Sequence, residues 1–178
     1  MDELGKLLFR ELTDADEQQA VDAHQTLLAE DFEFLPAWTG GENWADYVYR
    51  MNAGRRGEHI PEGWVRSALF IAVDRDGWLL GRVSVRYELN ASLEHLGGHI
   101  GYGVLPEARR QGVAAALCRF GLDELRAAGV DRALVTCAAG NSGSRATILG
   151  CGAVPDTTHP EVVDGDGTTH LRFWVPTA

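Results

Sequence analysis

The chain has 178 residues, 45% of them hydrophobic and 24% charged, with a formal net charge of −10 at neutral pH. Those proportions belong to a soluble globular protein able to bury one core, and residues 1–178 are expected to form a single domain. The acidity argues against a nucleic-acid partner, whose phosphates would be repelled; it is compatible with a cationic partner such as an amine, or with solubility alone.

Taken in chain order, Met1–Lys6 is acidic where a secretion leader would be basic, and no later apolar run reaches the roughly 18 residues that span a bilayer. A cytoplasmic protein without a membrane partner is expected. Leu7 to Thr13 alternates as a strand. Thr13 then stands as the cap of a helix over about 14–29, with acidic residues in its first turn and Ala20, Val21, His24, Leu27 and Leu28 at helical spacing. Residues 30–41 read as a loop, aromatic for its kind, with Phe32, Phe34 and Trp38; a second helix is expected over about 43–51. Residues 68–74 form an apolar strand, Asp74–Gly77 a hairpin turn, and 78–87 an alternating return strand. Residues 90–97 read as a connection and 98–104 as the next strand. A helix from about 113, a strand over 133–137, a helix opened by Asn141 and a terminal pair of strands complete the order β-α-α-β-β-β-α-β-α-β-β. Cys118, Cys137 and Cys151 read as reduced, buried thiols. His95 and His99 are four apart, but Leu96-Gly97-Gly98 between them does not read as helix, and no metal is expected.

The densest signal is Val104-Leu105-Pro106-Glu107-Ala108-Arg109-Arg110-Gln111-Gly112-Val113-Ala114. A strand ends, a tight turn follows, and a helix opens on small residues. Such a helix start offers unpaired N–H groups and a partial positive charge, to which Arg109 and Arg110 add formal charge. The physics points to an anion site, with a pyrophosphate as its best occupant.

The spacing Arg109-x-x-Gly112-x-Ala114, followed by Asn141-Ser142-Gly143-Ser144 and the turn Gly150-Cys151-Gly152-Ala153, resembles the GCN5-related N-acetyltransferase (GNAT) superfamily, and more narrowly a bacterial group of acetyltransferases. The resemblance spans roughly residues 64–175 well and the first third loosely. It implies the GNAT fold, an α/β (α+β) architecture with a mixed, mostly antiparallel central sheet flanked by helices. It also implies transfer of an acetyl group from acetyl-coenzyme A to a primary amine on a small molecule or protein. The cofactor-binding residues it implies are Val104, Arg109, Arg110, Gln111, Gly112, Val113, Ala114, Asn141 and Ser144. The backbone of Val104 would pair with the pantetheine arm where two strands splay, and a backbone N–H freed there could stabilise a developing oxyanion.

Family enzymes often carry a tyrosine acid seven residues after the asparagine; here that place holds Ile148. Tyr102, Cys137 and Cys151 are the remaining candidate donors, and a coenzyme A thiolate can also leave unaided. For the amine's proton, His99 is the candidate base, with Glu33 and Glu94 as alternative carboxylates. Phe32, Phe34, Trp38 and Trp44 either wall an acceptor pocket or pack the loop onto the sheet. The absent tyrosine also keeps open a non-catalytic acyl-coenzyme A sensor. A homodimer is left open.

Overall fold

Two antiparallel sheets, joined at one point, form the centre of the molecule. The structure is a computed structural model that describes residues 7–178; the acidic segment Met1–Lys6 lies outside the described residues. In the first sheet the strands β1 (Leu8–Glu11), β2 (Ser67–Val73), β3 (Leu79–Arg86) and β4 (Ile100–Val104) pair in chain order. In the second, β8 (Thr169–Pro176) lies between β5 (Arg132–Ala138) on one side and the short strands β6 (Val154–Pro155) and β7 (Glu161–Val163) on the other. The junction is a bridge between Gly98 and Val135, with the His99 N–H donating to the Leu134 carbonyl at 2.7 Å. Gly98 has φ +64°, and a Cβ there would overlap the Leu134 carbonyl oxygen, so only glycine lets the two backbones come this close.

Alternation along β2 and β3 divides the apolar residues between two cores, because successive side chains of a strand point to opposite faces. Ala68, Phe70, Val83 and Val85 face α4 (Val113–Ala127) and α5 (Ser142–Gly150), meeting Leu117, Leu122, Leu125 and Ile148. Leu69, Ile71 and Val73 face α1 (Glu17–Leu28) and α2 (Trp44–Arg55), meeting Ala20, Leu27, Phe34 and Tyr47. The result is an antiparallel sheet flanked by helices, as the sequence implies, but the expected mixture of strand directions is not seen: each strand pair among the described residues is antiparallel.

Local chemistry departs from the sequence reading in four places. Thr13 opens a 3-10 turn over Asp14–Asp16 before α1 begins, because buried Asp16 accepts from the Thr13 N–H and hydroxyl, both at 2.8 Å, and from Arg10 at 2.7 Å through both oxygens. Helix α2 runs on to Arg55, started by Asn43, whose side chain accepts from the Asp46 N–H. The connection after β3 contains a one-turn helix, α3 (Ala91–His95), capped by Asn90. Three strands, not two, follow α5. No helix among the described residues is long and apolar enough to cross a membrane.

Candidate functional site

Beyond the Gly98–Val135 bridge, β4 and β5 part. Arg86 N–H donates to the His99 carbonyl and Leu105 N–H to the Leu80 carbonyl. The odd-numbered residues of β4 therefore spend their backbone groups on β3, and those of Tyr102 and Val104 turn toward the gap. The gap is a cleft of about 1250 Å³ lined by Tyr102, Gly103 and Val104, by the starts of α4 and α5, and by Glu30, Asp31 and Phe32.

The start of α4 is built as the sequence suggests. The turn enters the left-handed region at Arg110 (φ 63°) and again at Gly112 (φ 83°), the residue preceding the helix. Only glycine takes that second conformation without strain. The first N–H groups of α4, on Val113, Ala114 and Ala115, have no partner within the helix. Gly112, Ala114 and Ala115 line the cleft with almost no side-chain bulk. At the start of α5, Asn141 accepts from the Ser144 N–H at 2.9 Å, a helix cap that also lines the cleft.

Not every expected cofactor residue presents its side chain. Val113 is buried in the core and offers the cleft only its N–H. Gln111 folds back, its amide donating to the Glu107 carbonyl at 2.8 Å. Arg109 lines the cleft but is already engaged, with Nη2 2.6 Å from Glu30 and Nε 3.1 Å from the Val104 carbonyl. Arg110 lines it without an ion-pair partner among the described residues.

Tyr102 crosses the cleft from β4 to α5. Its hydroxyl lies 2.9 Å from the Ser144 hydroxyl and 3.3 Å from the Ser144 carbonyl. Burial raises its pKa well above the ordinary phenol value, and the Ser144 bond only partly offsets this. It carries its proton throughout the neutral range. Ile148, where a family tyrosine often stands, is fully buried under α5. Neither Cys137 nor Cys151 lines the cleft. Cys151 instead packs near Cys118 on α4, and its interaction with that thiol lowers its pKa to about 7.

His99 does not fit the role of base. Its Nδ1 accepts the Leu134 N–H at 2.9 Å. In a neutral imidazole the other nitrogen then carries the proton, so no lone pair is left to take one from a substrate. Burial, reinforced by the nearby Arg86 charge, lowers its pKa from 6.5 to about 4. His99 is a structural acceptor at the sheet junction. His24 does the same for the aromatic loop, accepting the Leu35 N–H at 3.0 Å. Of the alternatives, the Glu94 carbonyl accepts from Arg172, and its side chain lines neither cavity.

A second cavity, of about 300 Å³, opens between α2, the 59–65 segment, β2, β3 and α3. Glu33 lines it, and the preceding residue Phe32 lines the larger cleft, so adjacent loop residues border both spaces. The Phe32 ring packs over Gly103, where a Cβ would overlap it. Phe34, Trp38 and Trp44 do not wall this cavity: Phe34 is fully buried, and Trp38 packs edge-on against Trp44 and Tyr47, which stack on each other, with ring centroids 5.0–5.6 Å apart. The loop is aromatic because it carries part of the second core.

Arg82 is a residue that the sequence does not single out, although Arg86 and Asn90 near it lie where the sequence lets a substrate groove open, and both line the smaller cavity. Arg82, Ser84 and Arg86 alternate on one face of β3. Arg82 is buried and donates to the carbonyls of Glu33, Phe34 and Gly101 and to the Ser84 hydroxyl, pinning the aromatic loop to the sheet. Burial, with the Arg86 charge adding to it, lowers its pKa to about 9. The detectable signal was a polar, twice-cationic face on a strand otherwise flanked by apolar residues.

A model of the acetyltransferase (GNAT) family matches residues 24–152. Among solved structures, spermidine N-acetyltransferase from Vibrio cholerae, determined with coenzyme A and spermine, superposes with a TM-score of 0.66 at 16% identity, covering 97% of this chain and 96% of that one. RimJ from Mycobacterium smegmatis, in complex with CoA-disulfide, gives 0.65 at 21%, covering 96% and 81%. The ribosomal-protein-S5-alanine acetyltransferase from Vibrio fischeri gives 0.66 at 15%, covering 97% and 93%. At these identities the likeness carries the fold alone. A search of curated protein sequences found no match. The family model spans most of the chain and falls on the same splayed cleft and helix start, and the chain belongs to the GNAT family of acetyl-coenzyme A-dependent N-acetyltransferases.

Proposed function

We propose that the chain works as one acetyltransferase domain, moving the acetyl group of acetyl-coenzyme A onto a primary amine held in the smaller cavity. The observation that carries this reading is the splay of β4 from β5 onto a cleft closed by two helix starts. Its fit to a phosphorylated, extended cosubstrate is physical. The free N–H groups of α4 and the side chain of Arg110 suit a pyrophosphate, the small residues leave room for it, and the Tyr102 backbone and Val104 N–H, turned away from β3, suit an amide-bearing arm. Arg109 joins them by exchanging Glu30 for phosphate, a stronger partner for its fork.

Acetyl-coenzyme A supplies an acetyl group activated as a thioester. The chain's own residues manage the protons. Glu33 is the proposed acceptor for the proton that the attacking amine loses, directly or through water; its Oε1 holds the Ala37 N–H at 3.1 Å and its second oxygen is unengaged. Tyr102 is the proposed donor to the departing sulfur, since its hydroxyl sits inside the cleft and keeps its proton at neutral pH. One proton leaves at nitrogen and one is supplied at sulfur as the carbon–nitrogen bond replaces the carbon–sulfur bond. The measurement is coenzyme A binding by calorimetry together with thiol release over an amine panel. Tight binding with thiol release is expected. Wild-type protein that fails to bind coenzyme A overturns the reading of the cleft, and binding without release to any amine overturns the transfer.

A further inference from the structure

The smaller cavity carries a charge arrangement that selects among amines. We infer that the acceptor is a small amine bearing a carboxylate on an apolar body, a hydrophobic amino acid being the simplest case, with Arg86 as the carboxylate's partner. This rests on the acetyl-transfer reading above and names the acceptor class for it.

Arg86 lines the cavity and donates through Nη1 to the Gly97 and Gly98 carbonyls at 3.3 and 3.0 Å. Its Nη2 and Nε have no protein partner among the described residues. No buried side-chain nitrogen among the described residues lacks a partner, so these two atoms are solvent-accessible on a side chain that lines the cavity. Among the described residues no carboxylate pairs with Arg86 or with Arg82 behind it. Arg50, the other cavity arginine, is neutralised by Glu42 at 2.7 Å. A half-buried guanidinium with a free fork and no counter-ion is matched by a planar carboxylate, which takes two parallel hydrogen bonds from it.

Among the described residues the cavity's one carboxylate is Glu33. It and Arg86 form no ion pair with each other, so each is free for a different end of the same ligand. That is the polarity of a molecule with an amine at one end and a carboxylate at the other. Met51, Ile60, Trp64, Leu69 and Leu93 supply apolar wall between them. About 300 Å³ suits one amino acid of medium or large size. A polyamine would face one carboxylate with the uncompensated Arg86 beside it, an arrangement that repels its second cationic nitrogen.

The test uses L-phenylalanine, L-phenylalaninamide, phenethylamine and spermidine on the full chain. Calorimetry in the presence of coenzyme A reads acceptor binding, and thiol release from acetyl-coenzyme A reads transfer. Phenylalanine is expected to bind about 10–100-fold tighter than its amide or phenethylamine, the yield of one or two charge-assisted hydrogen bonds, and Arg86→Gln should bring that ratio close to one. Because Arg86 also holds the backbone at Gly97 and Gly98, the wild-type comparison of acid with amide decides the matter if the variant does not fold. Equal binding by the amide, tighter binding of spermidine, or no binding of phenylalanine overturns the inference. Transfer without acid preference overturns it while leaving acetyl transfer intact. Selective binding of the acid without thiol release leaves it standing and removes the transfer reading instead.

Discussion

Replacing His99 separates a structural histidine from a catalytic one. The Leu134 N–H that donates to its Nδ1 lies at the junction of the two sheets, and His99 is 8% exposed. His99→Ala leaves that N–H buried without an acceptor, at roughly 1–3 kcal/mol. The space vacated by the ring adds about 1–2 kcal/mol. A total near 3 kcal/mol would lower the folding equilibrium constant about a hundredfold, read by urea unfolding at neutral pH. His99→Asn sets a carbonyl oxygen close to the Nδ1 position and should recover roughly 1–2 kcal/mol of the loss. Turnover per folded molecule should stay within a few-fold of wild type in both variants. The same histidine gives the protein a pH dependence. Its folded pKa of about 4 lies below the ordinary 6.5, so the unfolded chain binds the proton first. Stability is complete above about pH 6.5 and falls as pH drops toward about 4, by at most about 3 kcal/mol. Loss of turnover by a hundredfold or more in a well-folded His99→Asn protein, with a displaced pH–rate profile, would refute this reasoning and return His99 to the chemistry.

Tyr102→Phe should lower kcat by roughly 10–10³-fold with coenzyme A affinity nearly unchanged, because the hydroxyl bonds Ser144 on α5 rather than the start of α4; unchanged kcat would mean the thiolate departs without it. Gly112→Glu forces a carboxylate and a strained left-handed conformation onto the start of α4, and should weaken coenzyme A binding by at least about tenfold in calorimetry. Glu33→Gln should reduce kcat by roughly 10²-fold or more, with the loss narrowing as pH rises and the amine deprotonates unaided. Asp16→Ala strands Arg10 and the Thr13 N–H and should cost about 2–3 kcal/mol in urea unfolding. Burial acts to raise the Asp16 pKa, but bonds from Arg10 and Thr13 outweigh it. Its contribution is therefore present above the ordinary carboxylate range and is lost as pH falls below it.

Local features of the site were legible because local rules govern them. The left-handed turn before α4 needs glycine wherever the chain goes next, and Asn141 caps α5 through a bond spanning three residues. The hairpin at Asp74–Gly77 likewise follows from its own residues, with Gly77 at φ 84°. What stayed hidden depends on distant partners. Nothing near His99 shows that Leu134, thirty-five residues on, will occupy its lone pair. Nothing near Arg109 shows that Glu30 will engage it. Strands β6 and β7 are two and three residues long and exist because β8 offers them an edge, so no periodicity announces them. The aromatic loop read equally as pocket wall and as core, and burial decided for core at every position except Phe32, which lines the cleft.

Net charge was a poor guide to the acceptor for the same reason. A total of −10 is compatible with a cationic ligand, yet screening confines a surface charge's reach to about 8–10 Å at physiological salt. In the lining of the smaller cavity the balance differs. Arg86, and Arg82 beyond it on the same face of β3, have no ion-pair partner among the described residues, and Glu33 is the one described carboxylate in that lining. Such an arrangement is costly to keep, because burial strips hydration from both guanidiniums and lowers both pKa values, and the Arg86 charge lowers that of Arg82 further. Arg82 offsets that cost with carbonyl bonds that hold the loop carrying Glu33. Arg86 has two carbonyl bonds and an open fork, so the remainder is recovered only when an anion arrives. Under the proposed reading, the same strand fixes the loop carrying Glu33 from one arginine and leaves the other for the ligand, which would tie acceptor selection to the placement of the proton acceptor through a single stretch of β3.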